Sequence, residues 1–134
     1  MPTSRTKYLP AKLKLNVKRS KSGLGLFAGE TIPKGTCIIE YVGTIVPKDK
    51  VETTYTRYLF EVNRNKTIDG SLRSNTARYI NHSCKPNAEV EIHNARVFIM
   101  ALSAIPAGTE ITYDYGEEYV DEYIKPYGCK CGNH

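Results

Sequence analysis

Arg78-Tyr79-Ile80-Asn81-His82-Ser83-Cys84-Lys85-Pro86-Asn87 is the stretch on which the reading of this chain turns. Side-chain amides, an imidazole, a hydroxyl and a thiol crowd together between a short apolar segment and a proline, which suits neither a helix nor a regular strand. The stretch reads as a loop that presents polar groups. Asn81 and His82 offer donors and acceptors to a small polar molecule or satisfy one another in a turn, and Cys84 either ligates a metal or packs.

Downstream lies Glu110-Ile111-Thr112-Tyr113-Asp114-Tyr115-Gly116. If it is extended, Tyr113 and Tyr115 share one face and Asp114 points to the other. Two adjacent phenols line a narrow pocket or form a cross-strand core pair. The tail Tyr127-Gly128-Cys129-Lys130-Cys131-Gly132-Asn133-His134 carries three soft or borderline metal ligands, and zinc takes four. Cys84 is a candidate to complete the set. Cys129 and Cys131 are too close to pair comfortably, and Cys37, inside an apolar run, reads as core.

Upstream, Leu13, Leu15 and Val17 alternate with Lys12, Lys14, Asn16 and Lys18, the pattern of a half-buried strand. Ser22-Gly23-Leu24-Gly25 follows, where paired glycines permit close backbone approach to a ligand or a tight turn. Ile32-Pro33-Lys34-Gly35-Thr36-Cys37-Ile38 and Ile105-Pro106-Ala107-Gly108-Thr109-Glu110-Ile111 are near copies, with Pro second and Gly fourth as in a type I turn launching a strand. So short a similarity indicates one turn chemistry used twice. Hairpins are expected around Asn63 to Lys66 and around His93-Asn94-Ala95, with His93 a surface turn residue, and residues 47–57 form a short helix or loop.

At 134 residues, with 40% hydrophobic and 25% charged residues, the chain fits one soluble domain. No apolar run approaches the roughly 18 residues of a membrane span, and no signal-peptide apolar region opens the chain. An intracellular protein is expected. The formal charge of +5 conceals a basic start and an acidic stretch at 110–122. The basic end is a candidate for nucleic-acid contact and the acidic stretch for attracting a basic peptide; both are otherwise solvated faces.

Taken together, four segments in order resemble the SET-domain protein lysine methyltransferases: Ser22 to Gly25, Glu40-Tyr41-Val42-Gly43, Arg78 to Asn87, and Glu110 to Gly116. The resemblance implies a mostly β fold of several small antiparallel sheets with little helix and a pseudoknot formed by the Asn81 loop and the Tyr115 segment. It divides the chain into a basic arm (1–13), the SET domain (14–116, with a short insert at 47–57) and a post-SET-like zinc-binding tail (117–134).

It also implies S-adenosylmethionine as methyl donor, contacted by Ser22, Gly23, Leu24, Gly25, Tyr58, Asn81, His82 and Tyr115. Tyr115 corresponds to the catalytic tyrosine, with Tyr113 and Tyr41 beside it in the lysine channel. Tyr rather than Phe at 113 favours mono- or dimethylation. Structural zinc would sit on Cys84, Cys129, Cys131 and His134. The implied substrate is a lysine in a basic protein such as a histone tail, reached in the nucleus or on chromatin if the chain is eukaryotic or acts on a host, and in the cytoplasm if bacterial. A homodimer would supply substrate contacts that the short insert lacks. The competing readings are a catalytically silent module for basic peptides and a zinc-dependent nucleic-acid binder.

Overall fold

The computed structural model describes residues 7–21, 23–53 and 58–116. Among them the strands are short, and apart from Lys7 the helical residues lie in two 3₁₀ segments, Lys48–Thr53 and Thr76–Tyr79. The chain begins with an antiparallel hairpin of β1 (Leu15–Ser20) and β2 (Gly23–Ala28), Leu15 opposite Ala28 and Ser20 opposite Gly23. Leu13 and Leu15 reach the core, whereas Val17 stays 41% exposed. The alternation therefore marks the strand but overstates its burial: a two-stranded ribbon twists strongly and carries its far end into solvent.

β3 (Cys37–Tyr41) pairs with β9 (Arg96–Ala101), which pairs with β8 (Ala88–His93), all antiparallel. β4 (Thr44–Val46), β6 (Lys66–Asp69) and β5 (Leu59–Asn63) form a second sheet in the order β4-β6-β5. Finally β7 (Asn81–His82) runs parallel to β10 (Thr112–Tyr113), bringing together the two segments assigned to the pseudoknot. The principal core gathers Leu26, Ile32, Ile38, Ile80, Ile99, Ile105 and Ile111. Each such side chain contributes about 1.5–3 kcal/mol on leaving water.

Successive residues of β9 face opposite sides of its sheet. Val97, Ile99 and Ala101 enter the principal core, while Phe98 and Met100 join Cys37 in a smaller cluster closed by Tyr8. Tyr8 is fixed there by its hydroxyl donating to Glu91 (2.9 Å) and by stacking on His93 at 4.4 Å. His93 is thus the last residue of β8, and the turn itself is Asn94 and Ala95, both at positive φ.

The two near-identical turns are displaced by one residue from the expected frame. The N–H of Thr36 donates to Pro33 O and that of Thr109 to Pro106 O, each at 3.2 Å. Gly35 (φ 84°) and Gly108 (φ 87°) therefore stand third in the turn, the glycine signature of type II. The likeness extends well beyond the turn. Ile32 and Ile105 exchange two hydrogen bonds of 2.8 Å, Gly35 donates to Ala101 O as Gly108 donates to Ala28 O, and Ala101 donates to Thr36 O as Ala28 donates to Thr109 O. Even the hairpins match, since Leu15 opposes Ala28 as Ala88 opposes Ala101. The unit from 15 to 41 and the unit from 88 to 114 thus share one frame, related by a local two-fold at the Ile32–Ile105 bridge.

Candidate active site

The polar loop and the tyrosine segment meet through β7 and β10. Asn87 clasps the junction: its Nδ2 donates to Glu110 O at 2.8 Å and its Oδ1 accepts from Thr112 N–H at 2.9 Å. One amide thus replaces two ladder bonds in a strand too short to supply them. Farther along, Ser83 N–H donates to Tyr113 O (3.2 Å), and Tyr115 N–H donates to Nδ1 of buried His82 (3.1 Å).

Because Nδ1 accepts that proton, the neutral imidazole carries its own on Nε2, which lies 3.3 Å from Cys84 Sγ. Asp114 Oδ1, 3.7 Å from Nδ1, is then a neighbour of the ring and not its ion-pair partner. Tyr115 packs on both sides, 5.4 Å from the His82 ring centroid and 4.9 Å from that of Tyr113. Its hydroxyl donates to Ile80 O. Tyr113 is buried and Asp114 exposed, as alternation along an extended segment requires.

Tyr41 sits at the end of β3, buried, with its hydroxyl donating to Tyr58 O at 2.7 Å and its ring 5.3 Å from Phe60. Gly70 makes room for it: a Cβ there would press on the Tyr41 ring and on Asn75. Asn75, 1% exposed, accepts from Val42 N–H (3.1 Å) and donates to Gly70 O (3.0 Å), tying the Tyr41 strand to the loop. Arg78 lays its guanidinium over Tyr58 (4.7 Å) and Tyr79 (5.1 Å).

Asn81 reaches back to the first hairpin. Its Nδ2 donates to Leu24 O (2.9 Å), approaches Ser20 Oγ (3.1 Å) and meets Glu110 Oε2 (2.8 Å). Gly23, Leu24 and Gly25 lie in β2, Gly23 at φ 110° opposite Ser20 where the hairpin closes and Gly25 against the Glu110 and Asn81 side chains. Gly23 and Leu24 are exposed, and nothing stands within 4 Å of a Cβ built on Gly23.

The structure therefore brings Gly23, Leu24, Gly25, Asn81, His82 and Tyr115 around one junction, with Tyr113 against Tyr115, while Tyr41 and Tyr58 touch one another. Ser22, Cys129, Cys131 and His134 lie outside the described residues. Cys84 is exposed, and no group of three or more His, Cys, Asp or Glu side chains is arranged to hold a metal among the described residues. Asn75, Asn87, Gly70 and Glu110 carry the geometry without having been singled out for it. Asn87 had a signal in its place beside Pro86; buried Asn75 had none, because its partners lie in β3 and the following loop.

The SET-domain family profile matches residues 23–116. The chain is 36% identical to human histone-lysine N-methyltransferase 2D over 97% of its own length and 3% of that protein's. It is 38% identical to the Drosophila melanogaster histone-lysine N-methyltransferase trr over 85% of the chain and 5% of the relative. A putative histone-lysine N-methyltransferase of Arabidopsis thaliana, ASHH4, is 38% identical over 90% of the chain and 37% of its own length. The chain thus spans a minor part of the curated relatives it matches. The profile covers most of the chain and takes in both the Asn81–His82 loop and the Tyr113–Tyr115 segment, so the chain belongs to the SET-domain family.

Proposed function

We propose that this chain transfers methyl groups from S-adenosylmethionine to the side-chain amine of lysine in a basic protein, a histone above all. The observation that carries the reading is the junction where His82 and Tyr113 pack, tilted, against Tyr115 while the Asn81 amide meets the Gly23 to Gly25 strand. Gly23, Leu24, Gly25, Tyr58, Asn81 and His82 would hold the donor, with Ser22 beside them. The exposed backbone at Gly23 and Leu24, with nothing within 4 Å of a Cβ built on Gly23, supports that fit. When bound, the donor supplies an electrophilic methyl group on a sulfonium.

The chain's own part is alignment. Holding an amine and a methyl carbon in line at roughly 3–3.5 Å recovers a large share of the barrier. Tyr41, Tyr113 and Tyr115 are suited to that as rigid walls whose hydroxyls orient a nitrogen lone pair. Lysine is mostly protonated at neutral pH, with a solution pKa of about 10.4. Burial away from water beside a positive sulfonium would disfavour the ammonium and so favour the reactive free amine. A phenol with pKa near 10 is neutral at pH 7, so Tyr115 orients the amine and does not act as its base. Tyr at position 113 supports mono- or dimethylation, because a second hydroxyl narrows the space beside the amine.

Cys84, Cys129, Cys131 and His134 are the proposed zinc ligands of a post-SET-like tail. Three thiolates and an imidazole are a suitable set for a closed structural site, and Cys84 is an exposed residue whose sulfur lies 3.3 Å from His82 Nε2. The names of the relatives support a chromatin substrate and a nuclear setting. No helix among the described residues is long and apolar enough to cross a membrane.

The test is incubation of the chain with methyl-labelled donor and a panel of histones and cell lysate, followed by mass spectrometry of the labelled protein. Label on lysine that disappears in Tyr115→Phe is expected. Stable binding of basic peptides with no label transferred would replace the enzyme by a silent binding module.

A further inference from the structure

We infer that Glu110 is a positioning residue for the methyl-donor site, locking the Asn81 side chain so that its amide oxygen, and not its nitrogen, is left for the donor. The inference rests on the methyl-transfer reading above. Three oxygens surround Asn81 Nδ2: Glu110 Oε2 at 2.8 Å, Leu24 O at 2.9 Å and Ser20 Oγ at 3.1 Å. A main-chain carbonyl only accepts, as does an ionised carboxylate. Turning the amide over would set its oxygen against both, exchanging two hydrogen bonds for two repulsions. The orientation is therefore fixed, and Oδ1 is directed away from all three.

Gly25 is part of the same device. A Cβ at this position would overlap the Glu110 carboxylate and stand 3.1 Å from Asn81 Nδ2. Glycine weakens a strand interior, so its presence in β2 needs a local reason. Here the carboxylate occupies the space a side chain would fill. Glu110 itself is held at both ends, its carbonyl by Asn87 and its backbone by the bridge to Phe27. The outward amide oxygen accepts from an N–H of a cationic donor, and the negative charge behind the amide favours that cation.

Titration calorimetry with S-adenosylhomocysteine, together with methyl-transfer kinetics, tests this on the 134-residue chain. Glu110→Ala is expected to weaken binding and raise the KM for the donor about tenfold, on the scale of one lost charge-assisted hydrogen bond, while lowering kcat less. Glu110→Gln, which keeps an acceptor oxygen but not the charge, should recover part of the loss, and Gly25→Ala should reproduce it. Acting through Asn81, Glu110→Ala should add nothing in an Asn81→Ala background. Wild-type affinity in Glu110→Ala, or additive losses in the double variant, would overturn the inference alone. Failure of the wild-type chain to bind would overturn the methyl-transfer reading and this inference with it. Should Glu110→Ala not fold, NMR of the wild-type Asn81 side-chain amide decides: slow hydrogen exchange supports the lock, and free rotation overturns it.

Discussion

The main-chain N–H of Tyr115 donates to Nδ1 of His82 across 3.1 Å, from a residue 33 positions away in sequence. This bond sets both the tautomer of the imidazole and the height of the Tyr115 ring. Asparagine places a carbonyl oxygen close to where Nδ1 stands, whereas alanine leaves the N–H without a partner. His82→Ala is therefore expected to destabilise the chain by about 1–3 kcal/mol, the cost of an unsatisfied buried donor. His82→Asn should lose less in both melting temperature and methyl-transfer rate.

Removing the Tyr115 hydroxyl leaves the tilted ring packing in place but takes away the donor to Ile80 O and the orienting group. Tyr115→Phe should lower kcat about 100-fold, the scale of lost alignment, with donor affinity nearly unchanged. Tyr113→Phe instead widens the space beside it. Intact-mass analysis should show its products shifted towards higher methylation.

Ala95 holds φ 59° in the β8–β9 turn beside Asn94 at φ 51°, both left-handed as a type I′ hairpin requires. Asn tolerates that region, while alanine pays a steric cost of about 1–2 kcal/mol, part of which glycine's freedom in the unfolded chain takes back. Ala95→Gly should stabilise by about 0.5–1 kcal/mol, read as a higher urea midpoint at unchanged slope. Lys66 Nζ, donating to Ala95 O at 2.6 Å, needs no change to allow it.

The Tyr8 closure depends on pH. Hydrogen bonds from Lys7, and then from Tyr8, hold the Glu91 carboxyl below its ordinary value of 4.5, outweighing the opposing effect of burial. The same contacts raise Lys7 and Tyr8 above their ordinary 10.5 and 10.0. A lowered carboxyl stabilises the fold fully above pH 4.5 and stops doing so as pH falls through its folded value; the raised groups contribute below pH 10 and stop as pH rises through theirs. The difference in melting temperature between wild type and Glu91→Gln should be largest near neutrality and vanish in acid.

Thiol labelling separates the two described cysteines. Burial, with Glu40 and Glu91 adding to it, pushes the Cys37 thiol up to about 11, so alkylation of the native chain at pH 8 should spare it. If zinc holds Cys84, Cys129 and Cys131, chelation should open these three to reagent together and lower activity, with Cys37 still protected. Peptide mapping by mass spectrometry reads all four.

Much of this architecture was legible because it is local. The hairpins at 59–69 and 88–101 follow from alternating apolar residues around turn-forming ones, and buried Cys37 follows from its apolar neighbours. Placement of the Pro-Gly turns missed by one residue, since Pro suits more than one position and only glycine's positive φ decides the frame. Contacts between distant segments left no local trace: Tyr8 meets Phe98, Asn75 meets Val42, and β7 meets β10. Those came from the family resemblance or from the structure. The doubled frame stayed hidden because, outside Ile32 to Ile38 and its copy, little matches apart from Val17 with Val90 and Ala28 with Ala101.

That doubled frame joins its two units at two places and furnishes them differently. At one, Gly25 and Glu110 meet Asn81; at the other, Phe98 and Cys37 meet Tyr8, each place drawing one residue from either unit at positions displaced by the same interval along the chain. One place is filled with hydrocarbon and ring, the other with a carboxylate and an amide. Damage to the greasy seam will show first as a protein that melts early, and damage to the polar seam first as a protein that holds its donor poorly.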